Sequence, residues 1–124
     1  MLTASNYREL VDLDARLGTR GLQILAFPCN QFGAQEPGSD SEIQDFAASK
    51  GATFPVFAKV EVNGAGADPL FVYLKEQKGE LLGADIKWNF GKFLVDGGTG
   101  MVVERYAPST SPLALEPDIL RLLE

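Results

Sequence analysis

The six residues "LQILAF", Leu22 to Phe27, constrain the fold more than any other stretch of the chain. They form a short, nearly continuous apolar run between Gly21 and Pro28, which reads as a β-strand buried on both faces. Such a strand needs backbone partners on both edges, because an unpaired N–H or C=O away from water costs as much as a lost hydrogen bond. Upstream, Tyr7, Leu10, Val11 and Leu17 recur at roughly helical spacing, with Ser5 read as the N-cap and Arg16 and Arg20 near the end. Gly18 or Gly21 would stop that helix. A helix feeding a buried strand through glycine points to an α/β layer.

The rest of the chain must supply the partners. Ser39 and Glu42 form S-x-x-E, a capping-box pattern, and Ile43, Phe46 and Ala47 follow on one face until Gly51. Asp68-Pro69 is a second helix start, with Leu70, Phe71 and Leu74 apolar behind it. "KFLVDGGTGMVVERY" reads as two strands around a glycine-rich turn, and "EPDILRLLE" as a closing amphipathic helix. The order is α-β-α-loop-α-loop-β-β-α in one domain, residues 1–124, without repeats or linkers. The hairpin covers one edge of Leu22–Phe27 at most, and the strand that normally opens such a layer is not seen.

Composition narrows the chemistry. With 45% hydrophobic and 23% charged residues the chain is globular rather than disordered. A net charge of −6 disfavours nucleic acid, whose phosphates need a basic face. No apolar run approaches the length of a membrane span, and no basic-then-apolar leader opens the sequence. The single cysteine cannot make an internal disulfide. The absence of histidine removes the usual general base, the usual metal ligand and every Cys-His or Ser-His relay. Any chemistry must run on thiol, amide, indole or carboxylate groups, and no metal is expected.

Singly, the candidates are ambiguous. Cys29 follows the strand and reads as a small buried side chain as readily as a nucleophile; "AFPCNQF" carries no basic residue to activate it. Gln35 and Glu36 read equally as loop polar groups, Trp88 as a core-edge indole and Asn89 as a turn residue.

Together, "LAFPCNQFGAQEPGS" and "IKWNFGKFLVD", with "SNYRELVDL" before and "VVERYAPSTSP" after, resemble the glutathione peroxidases, thiol peroxidases that reduce hydroperoxides. The resemblance runs from about residue 2 to the C-terminus in long, unusual strings. It implies an α/β, thioredoxin-like fold of the glutathione peroxidase type and a peroxidatic cysteine or selenocysteine. It also implies that the anion of that residue is supported by Gln35 of "FGAQEP" (not Gln31 of "CNQF"), Trp88 and Asn89. Such a set suits a chain without histidine, since an indole N–H and two amides donate hydrogen bonds to a thiolate or selenolate. The thiolate attacks peroxide oxygen, becomes a sulfenic acid and is restored by thiols.

One departure follows. The family's nucleophile sits in a segment of the form N-V-A-S-x-(cysteine or selenocysteine)-G-x-T, and this chain aligns with it only from Leu2-Thr3, with Met1 where the glycine would be. The nucleophile is then expected just upstream of Met1, together with the N-terminal strands, including a central one. Cys29 matches a second family cysteine that is not peroxidatic. The expectation is a truncated chain, inactive as it stands, whose sheet either leaves a slot beside Leu22–Phe27 or closes directly onto the hairpin.

The family's resolving cysteine is absent from "FAASKGATFP", which implies an external thiol such as glutathione as co-substrate and no other cofactor. Lys87 and Arg105 match positions that could attract glutathione's carboxylates, and read otherwise as ordinary surface charges. The short "KEQKGELLGAD" favours a monomer with an open site that tolerates bulky or lipid hydroperoxides. A cytoplasmic location is expected. The competing expectations are a non-catalytic thioredoxin-like interaction module and an unstable fragment.

Overall fold

The structure, a computed structural model, describes all residues except Met1, Gln35, 79–84 and Trp88, and not the side chain of Leu2. Helix α1 spans Leu2–Leu17. It therefore starts before Ser5, which lies inside the helix and does not cap it; nothing in "LTASNY" resists helix. A 3₁₀ turn, Gly18–Arg20, ends it, and Gly21 at φ 118° takes a left-handed backbone that disfavours a side chain.

Helix α2, Asp40–Ser49, begins as its sequence indicates. The Ser39 hydroxyl accepts from the Glu42 N–H at 3.1 Å, and the Glu42 carboxylate accepts from the Ser39 N–H at 3.0 Å. Helix α3, Pro69–Gln77, is capped by Asp68, whose carboxylate accepts from the Leu70 N–H at 2.9 Å. Strands β1, Lys92–Val95, and β2, Val102–Tyr106, form the antiparallel hairpin, and a 3₁₀ turn, Pro112–Leu115, leads into α4, Glu116–Leu123.

The hairpin separates two apolar clusters. Lys92 faces Tyr106, Phe93 faces Arg105 and Leu94 faces Glu104, but Val95 faces Val102, so Val103 is an extra, bulged residue. Strict alternation would put Val102 and Tyr106 on one face. With the bulge, Val102 joins Phe71 and Leu74 of α3 with Cys29, Phe32, Val62 and Ile86, while Tyr106 packs with Leu13 and Leu17 of α1, Leu94, Leu115 and Ile119 of α4.

Leu22–Phe27 departs from expectation. It is extended chain with a single parallel bridge, Ala26 to Val56, and Leu25 is 51% exposed, so it is not a strand buried on both faces. The Ala26 N–H donates to Pro55 O at 3.0 Å and Ala26 O accepts from Phe57 N at 2.9 Å, which spends both groups on one side. Among the described residues no backbone hydrogen bond occupies the other edge, and the only sheet is the two-stranded hairpin. Segment and hairpin meet instead through Phe71, whose ring lies edge-on to Phe27 at 5.4 Å and to Phe93 at 6.4 Å.

Candidate functional site

Two of the expected site residues, Gln35 and Trp88, lie outside the described residues, so the site is built from their neighbours. Among the described residues only Ala34 and Phe90 are non-glycines with positive φ, at 50° and 67°. Ala34 immediately precedes Gln35, and Phe90 immediately follows Asn89. A side chain in this region strains the backbone by about 1–2 kcal/mol, and such strain collects at functional turns. The Phe90 turn packs on Tyr7 of α1. The ring of Tyr7 lies edge-on to Phe90 at 6.1 Å and to Phe46 of α2 at 5.8 Å.

Charge links the turns as well. Burial raises the pKa of the Tyr7 phenol, and the nearby Glu36 carboxylate raises it further. Burial also raises the pKa of Glu36, against an opposing pull from Lys59. The Glu36 N–H donates to the Asn30 side-chain oxygen at 3.0 Å, which fixes the chain just past Gln35. Asn89 is half-buried. Lys92 donates from Nζ to Phe90 O at 2.6 Å, and burial lowers its pKa to about 8 while Glu9 opposes that shift.

Cys29 is elsewhere. Its thiol is buried in the α3-side cluster and contacts Gln31, whose N–H reaches Sγ at 3.4 Å. Gln31 in turn is committed to the scaffold. Its Oε1 accepts from the N–H groups of Val62 at 2.8 Å and Asn63 at 3.1 Å, and its Nε2 donates to Asn63 O at 2.9 Å. The Asn63 side chain continues the latch by pairing with both backbone groups of Ile86, at 2.7 and 2.9 Å. Lys75 closes it from α3, donating to Asn63 Oδ1 at 3.1 Å. Through these bonds the cysteine loop, the 60–63 segment and the approach to Trp88 form one unit. Beside it an open groove of about 310 Å³ is lined by Asn30, Gln31, Lys59, Val60 and Glu61.

Lys87 is exposed, one residue before Trp88. Arg105 donates to Lys78 O at 3.1 Å and Asp85 O at 3.2 Å, and its guanidinium lies 5.0 Å from the Phe93 ring centre. It thus bridges the two ends of the 79–84 segment. Sequence reasoning passed over Asn63 and Lys92, and read Tyr7 only as part of a helix stripe and Glu36 as a loop polar group. Tyr7 carried one usable signal, an aromatic with a polar tip on an apolar helix stripe; Asn63 carried none. Among the described residues no three His, Cys, Asp or Glu side chains gather as a metal site, and no helix is long and apolar enough to cross a membrane.

The profile of the glutathione peroxidase family matches residues 1–75. A probable phospholipid hydroperoxide glutathione peroxidase of Citrus sinensis is 60% identical over 124 residues, covering 99% of this chain and 74% of the relative. A protein of the same description from Helianthus annuus is 60% identical over 122 residues, covering 98% and 67%. The probable glutathione peroxidase 3, mitochondrial, of Arabidopsis thaliana is 58% identical and is covered over 59% of its length. Among solved structures, T. cruzi GPX1 superposes with a TM-score of 0.77 at 36% identity, over 96% of this chain and 71% of that one. Trgpx in its apo form gives 0.76 at 35%, over 95% and 70%. The architecture is thus thioredoxin-like, and the chain belongs to the glutathione peroxidase family.

Proposed function

We propose that this chain serves the reduction of hydrogen peroxide or organic and lipid hydroperoxides by a glutathione-like thiol, with Gln35, Trp88 and Asn89 as hydrogen-bond donors to the reacting anion. The observation that carries the reading is the pair of strained backbones at Ala34 and Phe90, which adjoin Gln35 and Asn89, with the Phe90 ring packed on Tyr7 and the Glu36 carboxylate acting on the same phenol. Lys87 and Arg105 are assigned to the thiol's carboxylates. The nucleophile is a cysteine or selenocysteine that the 124 residues do not include, so this chain supplies the supporting residues and is inactive by itself. Its anion takes one peroxide oxygen, the alcohol or water leaves with a proton, and two equivalents of thiol return the oxidised residue to its starting state. Burial of the Cys29 thiol against the Gln31 latch supports a bystander role. A cytoplasmic monomer completes the reading; the relatives named mitochondrial and chloroplastic give the competing location, and cell fractionation separates the two.

An assay of the 124-residue chain with glutathione and cumene hydroperoxide tests the assignment. Turnover at the level of the protein-free control is expected, unchanged in Cys29→Ser. Activity lost in Cys29→Ser would make that thiol the nucleophile, and activity retained in it would place the chemistry on an unsuspected group.

The second reading, a non-catalytic interaction module, is favoured by one observation, the free edge at Leu25 and Phe27.

A further inference from the structure

We propose that Lys92 is a positioning residue, whose ammonium holds the Phe90 carbonyl and thereby fixes the left-handed turn that presents Asn89. Three geometric facts point to it. The Nζ of Lys92 lies 2.6 Å from Phe90 O, short even for a charge-assisted N–H···O bond. The same ammonium lies 6.0 Å from the Phe90 ring centre, so carbonyl and ring are held by one cation. Phe90 sits at φ 67°, a conformation that a bulky side chain keeps only when its surroundings enforce it.

Lys92 opens β1 with its side chain on the Leu94 face, and it reaches back two residues to the turn. Its ammonium stays there despite half-burial, which lowers the pKa from the ordinary 10.5 to about 8. The groups around it come from several elements. Glu9 acts on it from α1, Tyr7 of α1 packs on the Phe90 ring with the Glu36 carboxylate acting on its phenol, and Tyr106, bonded to Asp118 of α4, is its cross-strand partner. Both tyrosines are shifted above their ordinary 10.0, away from the lowered lysine value. Deprotonating Lys92 would weaken the hold on Phe90 O and loosen the Asn89 turn. Asn89's catalytic meaning rests on the peroxidase reading; the clamp does not.

The test follows the Asn89 side-chain amide and the Phe90 backbone amide by ¹⁵N NMR, from well below the lowered lysine value of about 8 to the ordinary 10.5. In the native chain both signals should shift with a midpoint near about 8. Lys92→Met should abolish that transition and displace the Asn89 signal already at low pH. Lys92→Arg, charged throughout, should keep the native low-pH position with no transition. The N-terminal amine also titrates near 8, and Lys92→Met separates the two because the amine's transition would persist. Native signals in Lys92→Met, a transition surviving that substitution, or Lys92→Arg behaving like Lys92→Met would each overturn the proposal. None of these readouts depends on peroxidase turnover, so the clamp and the activity fail or stand separately.

Discussion

Arg105 shows how one side chain is spent. Its two terminal nitrogens donate to carbonyls on either side of 79–84, and its plane covers the Phe93 ring. Each hydrogen bond contributes about 0.5–1.5 kcal/mol and the cation–ring contact about 0.5–1. Arg105→Ala should therefore lower stability by about 1.5–4 kcal/mol in urea titration, with faster amide exchange at Asp85 and Ile86. Arg105→Lys should rescue little, because a single ammonium lacks the fork that reaches both carbonyls. Unchanged exchange in Arg105→Ala would mean that another contact holds the segment. The sequence offered Arg105 as a candidate for glutathione's carboxylates or as an ordinary surface charge. Its scaffold role depends on carbonyls 27 and 20 residues away, which no local pattern marks. Gln31 is similar, since its partners Val62 and Asn63 lie 31 and 32 residues along the chain.

Elements were legible where their signals are local. Ser39 with Glu42 and Asp68 with Pro69 announce α2 and α3 because each cap acts on backbone two or three residues away. Ser39→Ala should cost about 1 kcal/mol of stability by loss of the cap. The Ser39 backbone and side-chain hydrogen bonds hold the Glu42 carboxyl below its ordinary 4.5. The folded form therefore sheds this proton at lower pH than the unfolded form. That contribution is complete above the ordinary value and disappears as pH falls through the lowered one. Glu42→Gln should flatten this part of the acid stability profile, read by circular dichroism; an unaltered slope would assign it to other carboxylates. Leu22–Phe27 was misread for the opposite reason. Composition shows that residues favour a strand, but burial on two faces requires partners brought from far along the chain. Only the bridge to Val56 is made here.

At the scale of the whole molecule, the hairpin and Phe71 organise two clusters, and Arg16 ties α1 to α4 through Glu116 at 2.6 Å. That ion pair is exposed and adds little; packing around Leu13, which is 1% exposed, holds the helices together. The exposed edge at Leu25 raises the question of self-association. The edge is short, Pro28 blocks its extension, and Phe57 stacks on Phe27 at 4.7 Å to cover part of the apolar surface. Gel filtration over a concentration series should show a monomer throughout. A dimer that grows with concentration would overturn this and support the interaction-module reading. The candidate site was legible as motifs, because the strings around Gln35 and Asn89 stand in the sequence itself. The packing of the Phe90 ring on Tyr7 was not, because it depends on how α1 lies against that turn.

The bulge at Val103 gives the second strand something like a reading frame. Lengthening the 96–101 loop by a residue adds chain at an exposed tip and leaves every facing pair in phase. Deleting Val103 removes the half-step, so that either Val102 or Tyr106 must turn away from its own cluster.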